Sequence, residues 1–219
     1  GDRSHAERLR LFGCHRQRVG VLEADAAEHR HAVAFAQRAA ELIAKWNVKR
    51  VATISPDYAY GQDVTKAFVD YIHNGGGFMG IHSASGSERQ WPWFSAMLGG
   101  KFVRHPVLQT FTIKVVDKAH VSTKFLGDTW TWEDEPYFTN QLNPDIHILL
   151  AADLTTINDE KKVEYPGATF GNYFPLAWCH EFEGGRQFYT ALGHKAAYYQ
   201  DEKFLKHLQG GLKWVLKAK

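Results

Sequence analysis

Two histidines close apolar runs in this chain. His82 follows the strand-like "GFMGI" and opens a bend of small residues, while His194 ends "RQFYTALGH". Each has a glycine close by, which lets backbone and side chain approach a ligand without steric cost. An imidazole so placed either ligates a metal through its neutral ring or moves a proton near neutral pH. The commoner fate of a lone histidine is a hydrogen-bonded structural role. A pair at equivalent ends of two strands favours a site.

Two further stretches carry matching chemistry. In "RHPVLQ", Pro106 biases His105 to an extended backbone. Arg104 beside it suits a ligand carboxylate or phosphate, or more simply a surface ion pair. In "WEDEPYF", Asp134 and Glu135 precede Pro136 and Tyr137. An acid run is usually a solvated loop, but carboxylate with imidazole is what zinc or another divalent metal requires. One acid beside a histidine equally serves a general base. The catalytic candidates are therefore His82, His194 and Glu135. The metal candidates are His82, His105, Glu135 and His194. Trp93, Tyr137 and Arg104 are candidates for substrate contact, since flat apolar faces beside polar groups hold sugar rings; aromatic residues more often build core.

The elements that must position these residues alternate. "RVGVLE" reads as a first strand, and residues 29–46 carry apolar positions at helical spacing (Val33, Ala36, Ala40, Ile43). "KRVATIS" is a second strand. "GQDVTKAFVDYIHNGGG" is a helix with Asp63 as N-cap and Gly75 as its stop. "GFMGIHS" is a third strand, Trp93 to Leu98 a short helix, and "QTFTIKVVD" the next strand. "HVSTKFLGDTWTWEDEPYF" reads as a loop-rich excursion and "DIHILLAADL" as another strand. "FPLAWCHEF" pairs with "RQFYTALGH", and Phe204 to Leu216 closes the chain as an amphipathic helix. Strand and helix in alternation predict a parallel sheet covered by helices on both faces, in a single α/β domain over residues 1–219. Residues 1–17 show no period and form a lead-in.

Composition narrows the class. The 219 residues are 44% hydrophobic and 23% charged, enough for one sizeable core. A net charge of +2 is too balanced to argue for nucleic acid or a membrane surface. No apolar run is long enough to span a bilayer. The opening "GDRSHAERLR" has neither a signal core nor an initiator Met, which suggests that an upstream segment was removed. Cys14 and Cys179 lack metal-ligand spacing and leave the compartment open between cytoplasm and periplasm. A soluble protein is expected, with a homo-oligomer left open. Only Trp46 of the seven tryptophans precedes residue 90, so composition shifts along the chain.

From about Lys66 to Leu216 the sequence resembles the ThuA-like, trehalose-utilisation family. The matching pieces are "AFVDYIHNGGGFMGIHSAS", "WPWFSAMLGGKFVRHPVLQ", "DEPYF", "FPLAWCHEFEGGRQFYTALGH" and "LQGGLKWVL". The resemblance implies a flavodoxin-like sheet similar to class I glutamine amidotransferases, in which a sharp turn after a strand presents a catalytic Cys. Here His82 occupies the corresponding elbow, so thiol acyl chemistry is not available there, and Cys179 lies in a different strand. The resemblance further implies a role in sugar metabolism, on trehalose or 3-keto glycosides, with a divalent metal such as zinc as the candidate cofactor.

The first third departs from that pattern. "AEHRHAVAF" stands where the family has its first turn, making His31 a loose counterpart, and one strand–turn segment is missing. Residues 29–68, especially "KRVATISPDYAYGQD", resemble a segment of type I periplasmic amino-acid-binding proteins. Two readings follow: a chimera carrying a binding-protein piece, or a divergent family member. Function divides accordingly among a carbohydrate-active enzyme, a non-catalytic small-molecule binder and an inactive chimeric scaffold. The first requires the histidines and Glu135 to converge.

Overall fold

The computed structural model describes residues 19–22, 52–54, 68–161, 165–167 and 169–217. The expected helix over 29–46, the Asp63 cap and the 1–17 lead-in lie outside them. An eight-stranded sheet runs in the order β2-β1-β3-β10-β9-β8-β5-β6. Its strands are β1 (Val19–Leu22), β2 (Ala52–Ile54), β3 (Gly77–Ile81), β5 (Gln109–Val115), β6 (Thr129–Asp134), β8 (His147–Asp153), β9 (Tyr173–Phe182) and β10 (Gly185–Thr190). A separate two-stranded sheet pairs β4 (Lys101–Arg104) with β7 (Phe138–Asn140).

The sheet is mixed, which corrects the expectation of a parallel one. β2, β1, β3 and β10 are mutually parallel, whereas β9, β8, β5 and β6 each pair antiparallel with their neighbours. The reason is local at β9–β10. Phe182 pairs with Gly185, leaving a two-residue loop whose members both take positive φ, Glu183 at 48° and Gly184 at 85°. That is the twist-matched hairpin turn, and it allows only an antiparallel return. The expected excursion over residues 120–138 also contains β6, because Trp130 and Trp132 alternate with the more exposed Thr129, Thr131 and Glu133.

Helices cover both faces. The Pro92–Leu98 helix begins with proline in its first turn and ends on Gly99. It packs on one face, where Phe94 meets Phe78 at 6.0 Å between ring centroids and the Leu98 carbonyl accepts the Trp178 indole N–H at 2.9 Å. The Glu202–Val215 helix covers the other face. Asp201 caps it by accepting the Phe204 amide at 2.8 Å. Its buried His207 lies against Phe188 and Thr190 of β10. The same helix meets β6, with Phe204 stacked on Trp132 and His207 against Trp130. Across a flat sheet β6 would stand about 19 Å from β10, four spacings of roughly 4.8 Å. The antiparallel half instead curls around the helix and brings the end of β6 to the end of β10. No helix among the described residues is long and apolar enough to cross a membrane.

Candidate functional site

β3 and β10 are parallel neighbours with Ile81 beside Thr190, so their carboxyl ends lie side by side. The chain turns abruptly after Ile81. His82 takes φ 48°, in the left-handed region that costs an L-residue about 1–2 kcal/mol. Strain of that kind persists only where surrounding contacts impose it. Here Tyr189 donates its hydroxyl to the His82 carbonyl at 2.9 Å, and Ser85 bonds that same hydroxyl at 2.7 Å. His82 Nδ1 lies 2.8 Å from the Ala191 carbonyl. A carbonyl can only accept, so Nδ1 carries a proton and Nε2 is the ring nitrogen left to face Glu135, His194 and Tyr137.

His194 and Glu135 are brought in by one carboxylate. Asp134, fully buried at the end of β6, accepts the amides of Gly193 at 2.8 Å, Glu135 at 2.9 Å and His194 at 3.3 Å, and the Trp132 indole at 3.0 Å. Gly193, at φ 121°, supplies the backbone that turns the chain between Leu192 and His194.

The three side chains converge. His82 Nε2 lies 3.4 Å from Glu135 Oε2 and 3.3 Å from His194 Nδ1, and His194 Nδ1 lies 3.3 Å from Glu135 Oε2. Zinc bound at about 2.05 Å in a tetrahedron separates its ligand atoms by about 3.3 Å. The His82–Glu135–His194 triangle therefore has the size of one face of a tetrahedral site. Side-chain exposure rises from 5% at His82 through 15% at Glu135 to 36% at His194, so the triangle opens to solvent on the His194 side.

Electrostatics suit a cation. Burial alone would push His82 down, but the Glu135 hydrogen bond, the Asp134 charge, the Ala191 carbonyl and the Glu135 charge hold it above the ordinary histidine value. Burial would raise Glu135, yet the His82 hydrogen bond and the His105, His194 and His82 charges hold it below the usual carboxylate range. For Asp134 burial prevails and its carboxyl sits high, against the His82 charge and the Gly193, Trp132 and Glu135 N–H groups. All its bonding partners are donors, which is an environment for an ionised acceptor.

The other sequence candidates are placed as follows. His105 is at the rim, with Nε2 3.7 Å from Glu135 Oε2 and its ring stacked on Tyr137, outside the three-donor group. Tyr137 is inside, its hydroxyl 3.0 Å from His82 Nε2. Arg104 is engaged elsewhere: its guanidinium grips both oxygens of buried Asp159 at 3.0 and 2.9 Å and lies over the Phe138 ring. Trp93 stands near the β9–β10 turn, donating to Glu183, at the opposite end of β10 from His194. Cys179 is buried within β9, its thiol pushed up to about 12 by burial and the Asp117 charge, which leaves no thiolate. Sequence reasoning missed Tyr189, Ser85 and the clamp made by Asp134. The partners in these bonds lie 59 to 107 residues away, so no local signal marks them.

Comparisons with known proteins agree with this architecture. A family model described as "Trehalose utilisation" (ThuA) matches residues 14–215 and so spans the divergent segment 29–68. A ThuA-like protein of Bacteroides uniformis superposes with TM-score 0.64 at 22% identity, over 97% of this chain and 95% of that one. Another from Parabacteroides merdae gives 0.65 at 17% identity, over 92% and 90%. A β-galactosidase of Bacillus circulans sp. alkalophilus gives 0.55 at 12% identity, over 93% of this chain and 31% of that much longer one. At such identities these likenesses concern the fold. Among curated proteins, none matches the chain.

Proposed function

The chain belongs to the ThuA family, and from that premise we propose that it acts on a carbohydrate at a divalent-metal centre formed by His82, Glu135 and His194. The observation that carries this reading is the triangle of donor atoms with edges of 3.3 to 3.4 Å. A cation bound there supplies a Lewis acid beside a sugar oxygen. The chain's own groups prepare its seat. Ala191 fixes the tautomer and direction of His82. Asp134 holds the backbone of both other ligand residues. His105 at the rim offers a ring face, and Tyr137 buried behind it a hydroxyl, to a sugar such as trehalose or a 3-keto glycoside. The parallel half in the order β2-β1-β3-β10 supports a flavodoxin-like, glutamine-amidotransferase-like ancestry, since it follows the 2-1-3-4 order of such sheets. The span of the family match favours a divergent family member over a graft.

The test joins metal content to chemistry. Protein loaded with zinc and then dialysed should retain one equivalent by elemental analysis, and His82→Ala should retain none. The loaded protein, incubated with trehalose and oxidised glycosides, should yield a mass-spectrometric product that the variant does not. Metal retained without product would favour a non-catalytic binder. No metal in either protein would refute the centre.

A further inference from the structure

Tyr137 places a hydroxyl 3.0 Å from Nε2 of His82, the buried corner of the triangle. Its ring is 7% exposed and packs between His82, at 4.3 Å between centroids, and Phe102, at 4.4 Å, with His105 stacked at 5.3 Å. Held on these sides, the ring cannot swing away, and its oxygen stays 3.0 Å from His82 Nε2. The tautomer set by the Ala191 carbonyl leaves the lone pair of a neutral His82 ring at Nε2, within hydrogen-bond reach of the phenol. A cation seated on His82, Glu135 and His194 needs that same lone pair. It cannot serve both, so loading the site excludes this hydrogen bond while leaving the hydroxyl beside the new ligand set.

We infer that the Tyr137 hydroxyl changes acceptor on loading, from His82 Nε2 to an oxygen held at the fourth position of the tetrahedron. The inference rests on the metal reading above and adds a selectivity to it. An oxygen ligand keeps a lone pair after binding a cation and can accept from Tyr137. A nitrogen ligand such as imidazole keeps none. Tyr137 therefore selects oxygen donors, the class to which carbonyl and hydroxyl groups of sugars belong.

The test uses the full chain loaded with cobalt(II), whose visible absorption reports both uptake of the metal and occupation of its fourth position. Wild type and Tyr137→Phe are compared, since phenylalanine preserves the stacking and a thermal melt verifies folding. The variant should bind cobalt at least as tightly as wild type, having no competing hydrogen bond. It should bind acetohydroxamate, an oxygen donor, about tenfold more weakly, the worth of one hydrogen bond to a polarised acceptor. Imidazole should bind both proteins equally. Equal acetohydroxamate affinities would overturn the inference alone. So would cobalt binding weakened severalfold in the variant, which would make the phenol a ligand. A wild type that takes up no cobalt would overturn the metal reading and this inference with it.

Discussion

The Asp134 carboxylate accepts the Gly193 amide at 2.8 Å, tying the end of the edge strand β6 to the loop that carries His194. Its other oxygen holds the Glu135 and His194 amides. Asp134 thus sets the spacing between two of the candidate ligand residues, Glu135 and His194. Asp134→Asn keeps the shape but turns an NH2 group toward backbone N–H donors. We expect a stability loss of about 2–3 kcal/mol by denaturant unfolding, from hydrogen bonds to a charged acceptor that become repulsive. Zinc affinity should fall at least about tenfold in protein verified as folded, because the triangle loses its spacing. An unchanged zinc affinity would show that the ligand residues hold their own positions.

At His82 the backbone and the side chain make separable contributions. The left-handed φ of 48° penalises every L-residue placed there. His82→Ala and His82→Gly both remove the imidazole, and both should abolish zinc retention. Glycine should nevertheless be the more stable of the two by about 1 kcal/mol, since it adopts positive φ without steric cost. Paired urea titrations measure the difference, and alanine equal to or above glycine would mean that the turn relaxes once the ring is gone.

How far the sequence revealed all this depended on the range of each signal. "GFMGIHS" announced a strand followed directly by its histidine, and "RQFYTALGH" a strand whose histidine lies beyond its end at Thr190, on the loop that follows. The carboxylate of "WEDEPYF" was visible as chemistry, but the strand beneath it was not. Its mark was the alternation of Trp130 and Trp132 with Thr129, Thr131 and Glu133, whereas the curl that lays both rings on the Glu202–Val215 helix is a tertiary event with no local mark. The parallel expectation failed where β9 and β10 meet, although "FEGGR" carried the turn residue needed to see a hairpin. Trp93, a candidate for sugar contact as a flat face beside polar groups, stands at the β9–β10 turn, the other end of β10 from His194.

Arg104 tests the boundary of the site. It makes two bonds to Asp159 and a third to the Lys161 carbonyl at 3.0 Å, with its face on Phe138. Arg104→Ala strands a buried carboxylate and exposes an aromatic ring. A loss of about 3 kcal/mol is expected on that account. Zinc stoichiometry should not change, because none of these partners belongs to the triangle. Loss of zinc at a temperature where the variant is still folded would place Arg104 in the site after all.

His207 should make the fold acid-sensitive, away from the candidate metal site. Its Nδ1 donates to the Ser122 carbonyl at 3.0 Å and its Nε2 accepts from the Thr190 hydroxyl at 3.1 Å, so the neutral ring is satisfied. Burial pushes its pKa down from 6.5 to about 4, with the Ser122 carbonyl opposing and the His120 charge assisting. The unfolded chain then binds a proton that the folded one refuses, from the ordinary histidine value down to the depressed one. Stability contributed by the neutral ring is complete above pH 6.5 and drains away as pH falls toward 4. Over that interval the loss amounts to roughly 3 kcal/mol. Guanidinium unfolding across the range should show this slope in wild type and a shallower one in His207→Gln, where no proton is taken up at that position. Equal slopes would mean that the ring is hydrated enough to titrate normally within the native state.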